Sequence, residues 1–238
     1  MTKRICRGRY PPILSIAPAE VLVPLLLTLK VAGSATLLAF VLGVGLAWFI
    51  ARFDFPGREV ADAVMTLPMV MPPTVLGYYL IVLIGRRGWL GGWLDRTLGI
   101  NLMFTWQGAV IAAAIVSLPL VYKGARAAFE EVSRQTENAA RVLGASEWTV
   151  FVRVTLPLAW RGILAGVMLS FARAMGEFGA TLMVAGSIPG RTQTLSIAVY
   201  EAVQAGRDDV ATFLVVVTSV VCILVLVGSS RLVRVPHA

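Results

Sequence analysis

Residues 135–157 read QTENAARVLGASEWTVFVRVTLP, and the fold turns on whether this stretch is a slack loop or a built element. Gln135–Leu143 is rich in helix formers and small residues and ends at Gly144. Glycine is the usual residue where a helix stops at positive φ. Ser146 can then cap a second short helix through its hydroxyl, with an expected stop around Pro157. The small pair Ala139-Ala140 lets another surface approach the backbone closely. Val142, Leu143, Trp148 and Phe151 supply apolar surface to bury. A helix–glycine–helix knob suits two roles, docking a partner or packing as a connector, and local sequence leaves both open.

Outward from the knob the chain turns strongly apolar. Of 238 residues, 58% are hydrophobic and 14% charged, with a mean hydropathy of +0.80. Soluble domains carry about 45–50% apolar and about 25% charged residues. A membrane span needs about 20 apolar residues. The patterning predicts five: 23–51, 61–84, 106–122, 161–184 and 210–230. The longest polar stretch, 123–160, contains the knob. Trp89, Trp93 and Trp106 suit an interfacial aromatic belt, and Leu195–Gln204 reads as an interfacial helix. Span 61–84 carries Pro68, Pro72 and Pro73. Proline removes a backbone donor and clashes with the preceding turn, and in a membrane the freed carbonyls must be satisfied by protein or a water-filled cavity. This span is a candidate broken, pathway-lining helix, or simply a kinked packing helix.

Lys3, Arg4, Arg7 and Arg9 make residues 1–20 a basic tail ahead of a membrane domain at 21–232. With 123–160 cytosolic, Arg52, Arg58, Lys123, Arg126, Arg134, Arg141, Arg153, Arg161, Arg231 and Arg234 fall inside, as the positive-inside rule favours. Five spans then put the basic tail outside, which offsets that excess. A sixth element at 11–30 would bring the tail inside, but Pro11, Pro12, Pro18, Glu20 and Pro24 oppose it.

Several function classes fall away. The net charge of +8 is accounted for by the inside bias and anionic lipid, not nucleic acid. Cys6, Cys222 and His237 are too scattered for a metal site or disulfide framework. An intramembrane enzyme needs a nucleophile–base pair or metal ligands within spans, but the only histidine, His237, is in the tail and no Asp pair falls within a span. A secondary transporter fits poorly, since no clear inverted repeat is visible. Arg173 and Glu177 lie inside a predicted span at i,i+4 spacing, on one helical face, where each can neutralise the other. They read either as a buried structural pair or as a source of transient positive potential for an anion in transit.

Asn138-Ala139-Ala140-x3-Gly144-x9-Val154-x-Leu156-Pro157 resembles the EAA motif of ABC-importer permeases, Glu-Ala-Ala-x3-Gly-x9-Ile-x-Leu-Pro. Asn138 departs from that pattern, with Glu137 one residue earlier. Phe171-Ala-Arg-Ala-Met-Gly-Glu-Phe-Gly-Ala-Thr181, Gly186-Ser-Ile-Pro-Gly-Arg-Thr-Gln-Thr194 and Leu67-Pro68 through Gly77-Tyr78 resemble the oxyanion branch, most of all its molybdate permeases. Sulfate permeases share the Arg-Ala-x-Gly-Glu run. The resemblance spans roughly residues 20–230. It implies an all-α polytopic bundle, a type I ABC importer permease of about five spans with a cytoplasmic coupling helix. It implies a multi-pass inner-membrane protein of a prokaryote that carries molybdate, with sulfate or tungstate as alternatives.

Glu137, Asn138, Ala139, Ala140, Leu143, Gly144, Ala145, Trp148, Leu156 and Pro157 would form the ATPase docking segment. The implied partners are a second copy of the chain, two ATPase subunits, an external molybdate-binding protein and lipid. The implied permease binds no cofactor, and ATP is used by the partner. In agreement, a phosphate-cradling Gly-x4-Gly-Lys-Ser/Thr loop is absent, since the sequence contains no Gly-Lys dipeptide.

Overall fold

The computed structural model describes residues 18–233. The basic tail residues Lys3–Arg9, together with Arg234 and His237, lie outside the described residues. The elements are helices α1 (Pro18–Arg52), α2 (Arg58–Val70), α3 (Pro73–Ile84), α4 (Trp89–Leu98), α5 (Trp106–Glu131), α6 (Arg134–Val142), α7 (Glu147–Val150), α8 (Leu156–Met175), α9 (Gly179–Ala185), α10 (Leu195–Gln204) and α11 (Asp208–Val233), with a π-helical turn at Phe151–Thr155.

Among the described residues, four helices are long and apolar enough to cross a membrane. The pair α2–α3, bent by 113°, is together long and apolar enough for a fifth, as a broken span or a re-entrant loop. α1 begins at Pro18 and runs unbroken through Pro24 and Lys30, earlier than hydropathy predicted. Pro18 opens the helix where its missing N–H is harmless. At 35 residues and about 1.5 Å each, α1 is about 52 Å long, well beyond the ~30 Å hydrocarbon core.

α1, α5 and α8 form the centre. Val31, Ala32 and Ala35 meet Ala109, Ala113 and Ala114 of α5 and Ala174 and Met175 of α8. Further along, Ala47 and Ile50 meet Ala125, Phe129, Ala159 and Ile163. α5 therefore runs alongside α1 in the same direction and α8 runs back. Small residues set the spacing. A Cβ on Gly124 would lie 2.9 Å from the Gly166 Cα, so α5 and α8 touch backbone to backbone. Without water to expel, such close van der Waals contact is what joins helices in lipid. On the flank, Leu76, Leu80 and Ile84 of α3 pack against Ala112 and Val116 of α5 and Ala180 and Val184 of α9.

Three predicted boundaries move. α5 extends to Glu131 instead of ending at 122. The 85–105 segment contains α4, capped at its end by Gly99 with φ +63°. The span expected at 161–184 ends at Met175, and a break at Gly176–Phe178 precedes α9.

Candidate functional site: the knob and its anchor

The knob forms at the end of the bundle where α1 finishes. Ser133 caps α6 by accepting from the Gln135 N–H. Gly144 takes φ +84°, and its N–H donates to the Arg141 carbonyl at 2.9 Å. Ser146 caps α7 by accepting from the Thr149 N–H. The expected stop at Pro157 does not occur. α7 passes through the π-helical turn directly into α8, where Pro157 occupies the first turn. A proline in an α-helix interior loses its i−4 bond and clashes with that carbonyl. The wider π turn just before it relieves that conflict, and such turns recur at functional sites.

Val142 and Leu143 are each 87% exposed and Trp148 is 73% exposed. Asn138, Ala139 and Gly144 are exposed beside them, with Ala140 and Ala145 half-buried. Leu156 is half-buried and Pro157 exposed at the root of α8. Arg141 donates to the Asn138 Oδ1 at 2.6 Å and to both Glu147 oxygens at 2.6 and 3.2 Å, which braces α6 against α7. Glu147 is solvent-exposed in the polar stretch ahead of the apolar part of its helix.

Glu137 points the other way. Among the described residues of α6 it alone is buried. Its Oε2 accepts from the Arg52 guanidinium at the end of α1, and its Oε1 accepts from the Thr155 hydroxyl at 2.6 Å. Removing one partner of a buried ion pair costs about 3–5 kcal/mol, because the other is left uncompensated. Neither Arg52 nor Thr155 was singled out from sequence. Their only signals are a basic residue closing a span and a hydroxyl within an apolar run.

A second polar cluster joins the α2–α3 pair to the bundle. Asp62 accepts from the Tyr122 hydroxyl at 2.7 Å, from Lys123 at 2.9 Å and from Arg126. α2 itself contains no buried residue. The bend falls at Met71-Pro72, while Pro68 lies within α2 without breaking it. Pro72 and Pro73 are exposed. At the far end, Glu177 is buried in the break after α8. It accepts from Arg173 at 2.8 Å and from the Ala180 N–H at 2.9 Å. The pair therefore forms, but across a helix end and not along one continuous face. The Arg173 side chain stays 38% exposed.

The fold is a bundle of candidate membrane-spanning helices with a structured knob at one end, and sequence comparison places it among membrane transport subunits. Residues 39–235 match the model of the binding-protein-dependent transport system inner membrane component family, and the chain belongs to that family. It is 43% identical to the molybdenum transport system permease protein ModB of Escherichia coli (strain K12), over 88% of this chain and 92% of that one. It is 38% identical to the sulfate transport system permease protein CysW of Synechocystis, over 93% and 80%. Its fold is similar to that of the inward-facing MetNI methionine ABC transporter, with a TM-score of 0.71 at 16% identity over 90% and 94%. It is also similar to the bacterial alginate ABC transporter in complex with its pentasaccharide-bound periplasmic protein, with a TM-score of 0.68 at 19% identity over 90% and 78%. The chain is an inner-membrane permease and not itself an enzyme.

Proposed function

We propose that this chain is the membrane-spanning subunit of an ATP-driven importer of molybdate, working as a homodimer with two ATPase subunits and an external binding protein. The observation that carries this reading is the braced knob, which presents Val142, Leu143 and Trp148 to solvent. Large apolar side chains held outward on a rigid polar support suit a groove on a partner subunit. Identity to the molybdenum permeases supports the anion. Alternating access then requires two packings of similar energy, biased by ATP on one side and by the loaded binding protein on the other.

The bent pair α2–α3 is the candidate pathway wall, hinged at Pro72-Pro73. Arg173 supplies a half-exposed positive charge, partly neutralised by Glu177. A pathway needs binding weak enough to release the ion, and a cation tempered by a carboxylate meets that need. The CysW relative supports sulfate as a second reading, and tungstate shares the same tetrahedral dianion geometry. The test is uptake of labelled molybdate by the reconstituted complex, with tungstate and sulfate as competitors. Preferential competition by sulfate would move the substrate to the second reading. Uptake that persists without ATP under an ion gradient would overturn the ATP-driven mechanism.

A further inference from the structure

We infer that Glu137 is a positioning residue that transmits movement of the knob to the spans, and that it does not contact the ATPase itself. This rests on the proposed docking role of the knob and assigns one of its residues an inward task. On α6 the side chains divide by direction. Val142 and Leu143 face solvent, whereas Glu137 is buried and is the sole buried side chain among the described residues of that helix.

Its two carboxylate oxygens reach separate elements. One accepts from Arg52, the last residue of α1, and the other from Thr155, the last residue of the π-helical turn that feeds α8. The carboxylate thus ties three elements at one point: the knob, the first span and the returning span. Arg141 of the same helix lies 3.8 Å from Glu137 and also grips Glu147, and Arg52 lies 3.6 Å from Glu147. Both halves of the knob therefore share one ionic node with α1.

A carboxylate suits this task better than an apolar plug. Hydrogen bonds are directional, so the node resists rotation and sliding of α6, which greasy contact permits. The neighbouring Asn138 is exposed and, among the described residues, its side chain bonds within the knob, to Arg141. It is thus free to face a partner while Glu137 holds the knob to the bundle.

Glu137→Gln keeps the shape but removes the charge, so the Arg52 guanidinium loses its ionic partner, while the Thr155 hydroxyl can turn to accept. Complexes carrying the variant are reconstituted with the ATPase subunit and the loaded binding protein, and anion imported is measured per ATP hydrolysed. The expected result is normal co-purification of the ATPase, retained ATP hydrolysis and import per ATP reduced about tenfold or more. Thr155→Val, which removes one donor at nearly constant volume, is expected to give a smaller loss in the same ratio. It also serves as the test if Glu137→Gln does not insert. Paired reversal, Arg52→Glu with Glu137→Arg, is expected to recover part of the ratio. A wild-type ratio in either assembled single variant overturns the inference. Loss of ATPase co-purification with the ratio preserved in the remaining complexes also overturns it, because that places Glu137 at the contact. If the unaltered chain fails to capture the ATPase at all, the docking reading fails instead, so the two failures are distinguishable.

Discussion

Substituting Gly144 perturbs the knob where its two helices change direction. Its φ of +84° lies in a region that L side chains enter at a cost of about 1–2 kcal/mol. A Cβ there meets nothing within 4 Å, so Gly144→Ala introduces strain without a clash. Since about 1.4 kcal/mol is tenfold in an equilibrium, that strain shifts the balance away from the native turn by about five- to thirtyfold. Asparagine tolerates the left-handed region better than alanine, so Gly144→Asn is the mild member of the series. Gly144→Pro is the severe one. It deletes the N–H that donates to the Arg141 carbonyl and imposes a φ of about −65°, which this turn cannot accept. The series is read in proteoliposomes as anion imported per ATP, with the amount of inserted chain as the control. The expected order is wild type, Asn, Ala, Pro, with equal insertion throughout. A proline variant importing at the wild-type ratio would refute the claim that this turn couples hydrolysis to transport.

Four further outcomes follow from the same geometry. Val142→Asp with Leu143→Asp should leave the thermal stability of the chain unchanged, because both side chains are exposed. It should abolish ATPase co-purification, since each buried leucine- or valine-sized contact contributes about 1.5–3 kcal/mol; normal yield would remove this face from the interface. Glu177→Gln weakens the bond to Arg173 in a buried break, at a cost of about 1–3 kcal/mol, and an unchanged melting temperature in detergent would contradict it. Arg173→Lys keeps the charge but loses the guanidinium fork, so import should fall while assembly stays intact; normal import would exclude a guanidinium-specific role. Gly77→Leu should destabilise by about 1–3 kcal/mol through overpacking, because even a Cβ there would lie 2.7 Å from the Met183 Cβ and 3.3 Å from the Ala180 Cα; an unchanged midpoint of thermal unfolding would contradict this.

The local features of the knob were legible in the sequence because they depend on neighbours along the chain. Gly144 ends the first helix at positive φ and Ser146 caps the second. The helix expected at Leu195–Gln204 forms with those bounds. Hydropathy failed where a helix outlasts the membrane. α5 continues past Tyr122, where Lys123, Arg126 and Glu130 find ionic partners in Asp62 and Arg58, so polarity there does not mark a helix end. Pro157 misled for a related reason, since an α-helical stop is not required once the preceding turn widens to π. The inward direction of Glu137 was invisible because Arg52 lies 85 residues away in the chain. Local pattern carries no information about a contact that only the folded bundle creates.

The distribution of rigid and yielding parts makes mechanical sense for a subunit driven from one end. α5 leads into the knob with only Val132 and Ser133 between Glu131 and Arg134. The other exit, α7 through the π turn to α8, has no gap at all. A displacement of the knob therefore reaches two central spans without being absorbed by a loop, and Glu137 adds α1 as a third route. The yielding part is elsewhere. α2 meets α3 at a 113° bend and is attached to α5 by the Asp62 cluster and the half-buried Ala61 and Met65. Hydrogen bonds to charged groups are worth about 1.5–3 kcal/mol each, but Asp62, Lys123 and Arg126 are all partly exposed, so water can replace them, whereas the glycine–alanine packing of α1, α5 and α8 has no such substitute in lipid. Under the proposed roles of the knob and of α2–α3, movement would be directed to the α2–α3 bend, and a pull on the stiff end would open the compliant one.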